Sequence, residues 1–154
     1  MATITLRRTT AEDEDFLQLV QLLDADLAHR DGADHGFYSQ YNKTRYIRQV
    51  IVACDATGRA VACGALKEFE PGAMEVKRMY TLPAFRGRGI AQQVLQELES
   101  WAREMQYQRC ILETGKRQPE AIRLYEKSGY RQIPNYGQYA GIDNSVCFEK
   151  KLAH

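Results

Sequence analysis

Along this chain the spacing of apolar side chains switches repeatedly between two periods. From residue 2 to 8, ATITLRR alternates polar and apolar positions, which predicts a strand. Phe16, Leu19, Val20, Leu23 and Leu27 then recur every three or four residues, which predicts a helix from about Ala11 to about Arg30. Thr10-Ala-Glu-Asp13 at its start matches a capping box, with an acidic first turn that suits the helix dipole. The polar, glycine-containing stretch 31–42 begins as a loop, and a short helix is expected within 39–47. QVIVACD (49–55) and RAVACGALKEF (59–69) flank the turn signal DATG and predict a hairpin. MEVKRMYTL (74–82) is a further strand, closed by Pro83.

The best helical stripe follows Gly89, with Ile90, Ala91, Val94, Leu95, Leu98, Trp101, Ala102 and Met105 on one face. RCILET (109–114) reads as a strand. Pro119 suits the first turn of the next helix, EAIRLYEKS, and Gly129 suits its C-terminal cap. YRQI (130–133) and SVCFEKKL (145–152) complete the strands, joined by the aromatic loop PNYGQYAG. The order β α (α) β β β α β α β β predicts an α/β fold, a mixed sheet with helices packed on its faces.

Composition narrows the function classes. The 154 residues are one domain's worth, so a single domain over 1–154 is expected. A formal net charge of +1 argues against nucleic acid as the main partner. No apolar run approaches the ~18 residues of a membrane span, and the N-terminus lacks the apolar core of a signal peptide. A cytoplasmic protein with no membrane partner is therefore expected. Cys54, Cys63, Cys110 and Cys147 are scattered through apolar stretches without a C-x-x-C pair or a histidine cluster. They read as reduced core residues, and no metal site is expected. His35 reads as a loop residue.

RGRGIA (86–91) raises the chemical question. Two glycines, each costing roughly 0.5–1 kcal/mol in a regular element, stand with two arginines where a helix begins. A strand, a short glycine turn and a helix N-terminus form a phosphate-binding geometry, because the first helical N–H groups lack internal partners. A tight connection with incidental arginines is the plain alternative. The nucleotide motifs fail on residues: Gly115-Lys116 continues with Arg117, unlike a P-loop, and Gln92 stands where a dinucleotide fingerprint needs glycine or alanine.

Arg86, Gly89 and Ala91 fit R-x-x-G-x-A, which resembles the coenzyme A pyrophosphate loop of the GNAT superfamily of acetyltransferases. EAIRLYEKSGY (120–130) is similar to that superfamily's A-I-x-L-Y-x-x-x-G-F/Y block, and the element order resembles the family over about residues 2–152. The chain also resembles a bacterial-type subgroup of unassigned substrate. The resemblance implies that acetyl-CoA is the cosubstrate, with the backbone of Arg86, Gly87, Arg88, Gly89, Ile90 and Ala91 on its pyrophosphate. It implies that Met79, Tyr80 and Thr81 pair with the pantetheine arm, that Gln118 stands where the family often has asparagine, and that Tyr125 is the general acid. Glu75, eleven positions before Arg86, resembles the catalytic glutamate of histone-acetylating members.

Acetyl transfer asks for such groups. An amine of pKa ~10.4 is only about one part in 2,500 free base at pH 7, so a base must take its proton. From spacing alone, Tyr125 reads as core and Glu75 as a solvent-facing strand residue. Phe37, Tyr38, Tyr136 and Tyr139 are candidates to line the acceptor pocket, against ordinary surface packing. Lys116 and Arg117 are candidates for the coenzyme's 3′-phosphate, against a solvated loop. Asp24, Asp26, Asp31 and Asp34 cluster near the end of the first helix, where they would attract a cationic amine or simply be solvated. The expected activity is acetyl transfer to the primary amine of a small molecule or peptide, by direct attack in a ternary complex. A non-catalytic acetyl-CoA sensor of the same fold is the alternative. Edge strands near the C-terminus are candidates for pairing across a homodimer.

Overall fold

Alternation decides which face of the sheet each strand buries. In the computed structural model, which describes residues 3–31 and 47–154, seven strands form one sheet in the order β1-β2-β3-β4-β5-β7-β6. The strands are β1 (Thr5–Thr9), β2 (Gln49–Cys54), β3 (Ala60–Glu70), β4 (Ala73–Thr81), β5 (Arg109–Gly115), β6 (Arg131–Ile133) and β7 (Ser145–Lys151). The helices are α1 (Glu14–Asp31), α2 (Ile90–Glu104) and α3 (Pro119–Lys127). Val50, Val52, Cys63 and Ala65 bury against Phe16, Leu19 and Val20 of α1. Ile51, Ala53, Leu66, Met74 and Val76 bury against Val94, Leu95, Leu98 and Ala102 of α2, with Tyr125 of α3 in the same cluster. Among the described residues, α1 covers one face and α2 and α3 cover the other, consistent with a mixed sheet with helices packed on both faces. The short helix expected within 39–47 lies outside the described residues.

The DATG turn joins β2 and β3 as expected. Asp55 Oδ1 accepts from the amides of Thr57 and Arg59 at 2.9 and 3.1 Å, and Gly58 takes a φ of +87°. The first helix begins later than the capping-box pattern suggests, at Glu14 rather than Ala11. Asp13, not Thr10, is its cap: Oδ1 accepts from the Phe16 amide at 3.1 Å. Tertiary contacts made this choice, because Arg7 Nη2 donates to Asp13 Oδ2 at 2.8 Å and Thr9 Oγ1 donates to it at 3.0 Å. The four cysteines are free and buried. Burial pushes the thiols of Cys63 and Cys110 up to about 12, so neither is a nucleophile near neutral pH.

Two departures from regular pairing shape the sheet. Among the described residues β4 and β5 are the only parallel neighbours, and they pair over just Ala73–Glu75 with Arg109–Ile111. Beyond that rung the strands part, while β5 stays paired to β7 out to Gly115 and β4 stays paired to β3 out to Thr81. The second departure is a bulge in β4. Cys63 pairs with Tyr80 and Ala65 with Lys77, so Gly64 alone faces both Arg78 and Met79. Arg78 takes a φ of +59°, unusual for a residue with a side chain. Gly64 is required there: a Cβ would lie 2.5 Å from Met79 Sδ and 2.9 Å from Val94 and Leu98 of α2.

Burial tends to raise the Asp13 carboxyl, but hydrogen bonds from Arg7, the Phe16 amide and Thr9 outweigh it and hold it below the ordinary 3.8. Because the folded value is the lower one, this stabilisation is complete above pH 3.8 and is lost as pH falls through the folded value. Asp13→Ala is expected to cost about 1–2 kcal/mol near pH 7. Urea unfolding of both proteins between neutral pH and acid checks this, and the two curves should converge on the acid side.

Candidate active site

Where β4 and β5 part, the backbone of β4 presents an edge without a strand partner. The gap becomes a cavity of about 510 Å³, walled by α1, β4, the start of α2, β5 and α3. Glu75 stands on the last shared rung, paired with Ile111, at the inner end of the fork. Its residue is only 4% exposed. Tyr136, from the loop before β7, donates its phenol proton to Glu75 Oε2 at 2.6 Å. Tyr136 also packs edge-on against Phe69 and Tyr139, with ring centroids 5.0 and 5.7 Å away. Burial, then the Glu75 charge, raises the Tyr136 phenol far above its ordinary value, so it stays a donor.

Glu75, Met79, Tyr80, Thr81, Arg86, Gly87, Gly89, Ile90, Ala91, Gln118, Tyr125 and Tyr139 all line this one cavity. Tyr136 and Arg88 are not in its wall. Tyr136 stands behind Glu75, and the Arg88 guanidinium lies 5.1 Å from the Phe85 ring centroid. Arg86 folds back, donating from Nε to the Thr81 carbonyl at 2.9 Å and lying over the Tyr80 ring. Lys116 and Arg117 are exposed and outside the wall. Phe37, Tyr38, His35 and Asp34 lie outside the described residues. Asp24 and Asp26 each pair with an arginine, Arg78 at 2.5 Å and Arg30 at 3.1 Å, so neither is a bare attractor for an amine.

Tyr125 reaches the cavity from the buried face of α3, against Tyr130 and Phe148 with centroids 5.8 and 6.2 Å away. Burial, helped by the Glu113 charge, raises its phenol well above 10, so it remains protonated across the working range. Among the wall residues that escaped the sequence reading are Glu113 on β5, and the adjacent cations Lys77 and Arg78 on β4. A signal for the last two was present, since neighbouring residues of a flat strand cannot both face one side. Among the described residues no cluster of His, Cys, Asp or Glu is arranged to hold a metal ion, and no helix is long and apolar enough to cross a membrane.

Residues 16–130 match the model of the Acetyltransferase (GNAT) family. An IAA acetyltransferase of Azospirillum brasilense is 29% identical over 153 residues, covering 99% of this chain and 100% of that protein. A candidate acyl-CoA N-acyltransferase from Klebsiella pneumoniae superposes with a TM-score of 0.83 at 30% identity, covering 98% of this chain and 99% of that one. A GNAT acetyltransferase from Elizabethkingia anophelis with acetyl-CoA bound superposes with a TM-score of 0.70 at 18% identity, over 97% and 98% of the two chains, a likeness of fold. The chain belongs to the acetyltransferase (GNAT) family, whose members use acetyl-CoA. It is an acetyl-CoA-dependent N-acetyltransferase.

Two features fit that coenzyme. Gly87 and Gly89 have φ of +78° and +77°, and a Cβ on either would meet nothing within 4 Å, so the backbone there is open to a close ligand. No side chain caps α2, and its first turn carries no acidic residue to repel phosphate. The unpaired edge of β4 offers backbone groups to an extended arm. Since the protein itself leaves space there, Gly89→Ala should lower stability through backbone strain, costing about 1–2 kcal/mol, while its Cβ would crowd a ligand approaching the backbone. Acetyl-CoA at one hundred times its Kd should raise the wild-type melting temperature by roughly 5–10 °C. The same concentration should raise the variant's less. Thermal unfolding with and without acetyl-CoA, beside calorimetric titration, measures both effects.

Proposed function

We propose that the chain transfers the acetyl group of acetyl-CoA to a primary amine by direct attack in a ternary complex, with Glu75 as general base and Tyr125 as general acid. The observation that carries this reading is the wall of the fork. A carboxylate at its inner end and a protonated phenol from α3 line the same cavity as the glycine loop.

Acetyl-CoA, when bound, supplies a thioester whose carbonyl carbon accepts the amine. The amides of residues 86–91 hold its pyrophosphate, and the free edge at Met79, Tyr80 and Thr81 orients the extended arm with backbone hydrogen bonds. The Gln118 side-chain amide adds a further donor and acceptor from the N-terminal end of α3. Tyr136 fixes one oxygen of Glu75, leaving Oε1 to take the ammonium proton, directly or through one water. A backbone N–H near Met79 or Tyr80 stands ready for the charge that develops on the carbonyl oxygen. Tyr125 returns a proton to the departing thiolate.

Tyr125→Phe should lower kcat by roughly 10²–10⁴-fold and leave the acetyl-CoA Kd unchanged. Glu75→Gln should lower kcat in the same range, with a loss that shrinks as pH rises and more of the amine is already free base. Steady-state kinetics from pH 6 to 10 with calorimetry on both variants tests the assignment. Wild-type kcat in either variant removes that residue from the mechanism.

A further inference from the structure

Lys77 and Arg78 have no part in the chemistry above, yet both line the cavity from within a strand and are 8% and 5% exposed. Burying two adjacent cations is costly unless each is paired. Among the described residues, Lys77 Nζ has one hydrogen bond, long at 3.4 Å, to the Tyr139 hydroxyl, and its distance to Glu75 Oε1 is 3.9 Å. Arg78 gives one N–H to Asp24 at 2.5 Å, while its buried Nε has no partner.

The bulge is what brings the two cations together. Met74, Val76 and Met79 pack toward α2, whereas Lys77 meets Tyr139 and Arg78 meets Asp24 of α1. A flat strand would send Arg78 into the apolar α2 face. The chain instead holds a non-glycine residue at a φ of +59°, a strain of the kind concentrated at ligand clamps. Glu75 and Glu113 stand in the same wall. The cavity thus offers carboxylates to an ammonium and under-satisfied cationic donors to an anion. A plain alkylamine would leave those donors unanswered.

We infer that the acceptor is an amine carrying a carboxylate, an amino acid or a close relative, whose carboxylate is taken by Arg78 with Lys77 beside it. This rests on the acetyl-transfer reading and adds the substrate class. The planar guanidinium, with its free Nε and one committed Nη, matches a carboxylate better than a neutral amide.

The test sets α-, β- and γ-amino acids beside their carboxamides as acceptors, following CoA release. Wild type should prefer the acids in kcat/KM by roughly 10–100-fold, the size of one or two charge-assisted hydrogen bonds. Arg78→Asn should erase the preference through KM while leaving kcat for the amides intact. Asparagine tolerates positive φ, and Asp24, whose side chain is 52% exposed, is not left as a buried orphan. An unchanged acetyl-CoA Kd certifies the fold of the variant, and Lys77→Met, which should weaken the preference partially, serves if Arg78→Asn does not fold. Amides acetylated as well as acids by wild type, or a preference that survives in the folded variants, overturns the inference and leaves acetyl transfer standing. An enzyme that binds acetyl-CoA but acetylates no amine in either series overturns both.

Discussion

The rest of the site depends on the short reach of the parallel pairing between β4 and β5. Backbone N–H and C=O groups must find partners, and a sheet interior normally supplies them from both sides. Here β4 has β3 along one edge as far as Thr81 but β5 along the other only as far as Glu75. The remaining edge asks for a ligand. The same divergence opens the cavity, puts Glu75 at its inner end and leaves α3 free to turn Tyr125 toward it. Both strands can part at little cost because each keeps a full antiparallel partner on its outer side.

Charge inside the fork is arranged rather than avoided. Glu75 is tied by Tyr136, Lys77 by Tyr139, and Arg78 by Asp24, each through one strong or one long contact. Among the described residues these contacts leave donor or acceptor capacity over, most plainly at the buried Arg78 Nε. Contrast the buried Glu99 of α2, which accepts from both Tyr130 and Lys150 at 2.9 Å and has no role in the cavity. That carboxylate is closed off by its neighbours. Those in the fork keep capacity for something that arrives later.

Local signals made much of this legible. The α2 stripe, the DATG hairpin, Pro119 at the start of α3 and the two glycines before α2 each declare themselves within a few residues, because caps, turns and helical periodicity are short-range physics. The features that escaped are long-range. Nothing local marks how far β4 follows β5, and the Tyr136–Glu75 bond joins residues 61 apart. The start of α1 was locally ambiguous, since Thr10 and Asp13 are both competent caps, and Arg7 from β1 decided between them. Lys77-Arg78 lies between these cases. Its irregularity is visible as two cations within an apolar strand, but its meaning depends on Gly64 in β3, fourteen positions earlier.

The bulge also works as a phase shifter. Residues before Arg78 and residues after it obey the same two-residue alternation, offset by one position. Flattening the bulge while keeping every residue would restore an unbroken pleat and exchange the faces on which Met79, Tyr80 and Thr81 present their side chains. Met79 would leave its seat against Gly64 and α2, and Tyr80 would turn into the opposite core. The extra residue and the bulge are therefore tied together, and the segment can accept changes of side chain far more readily than a straightened backbone.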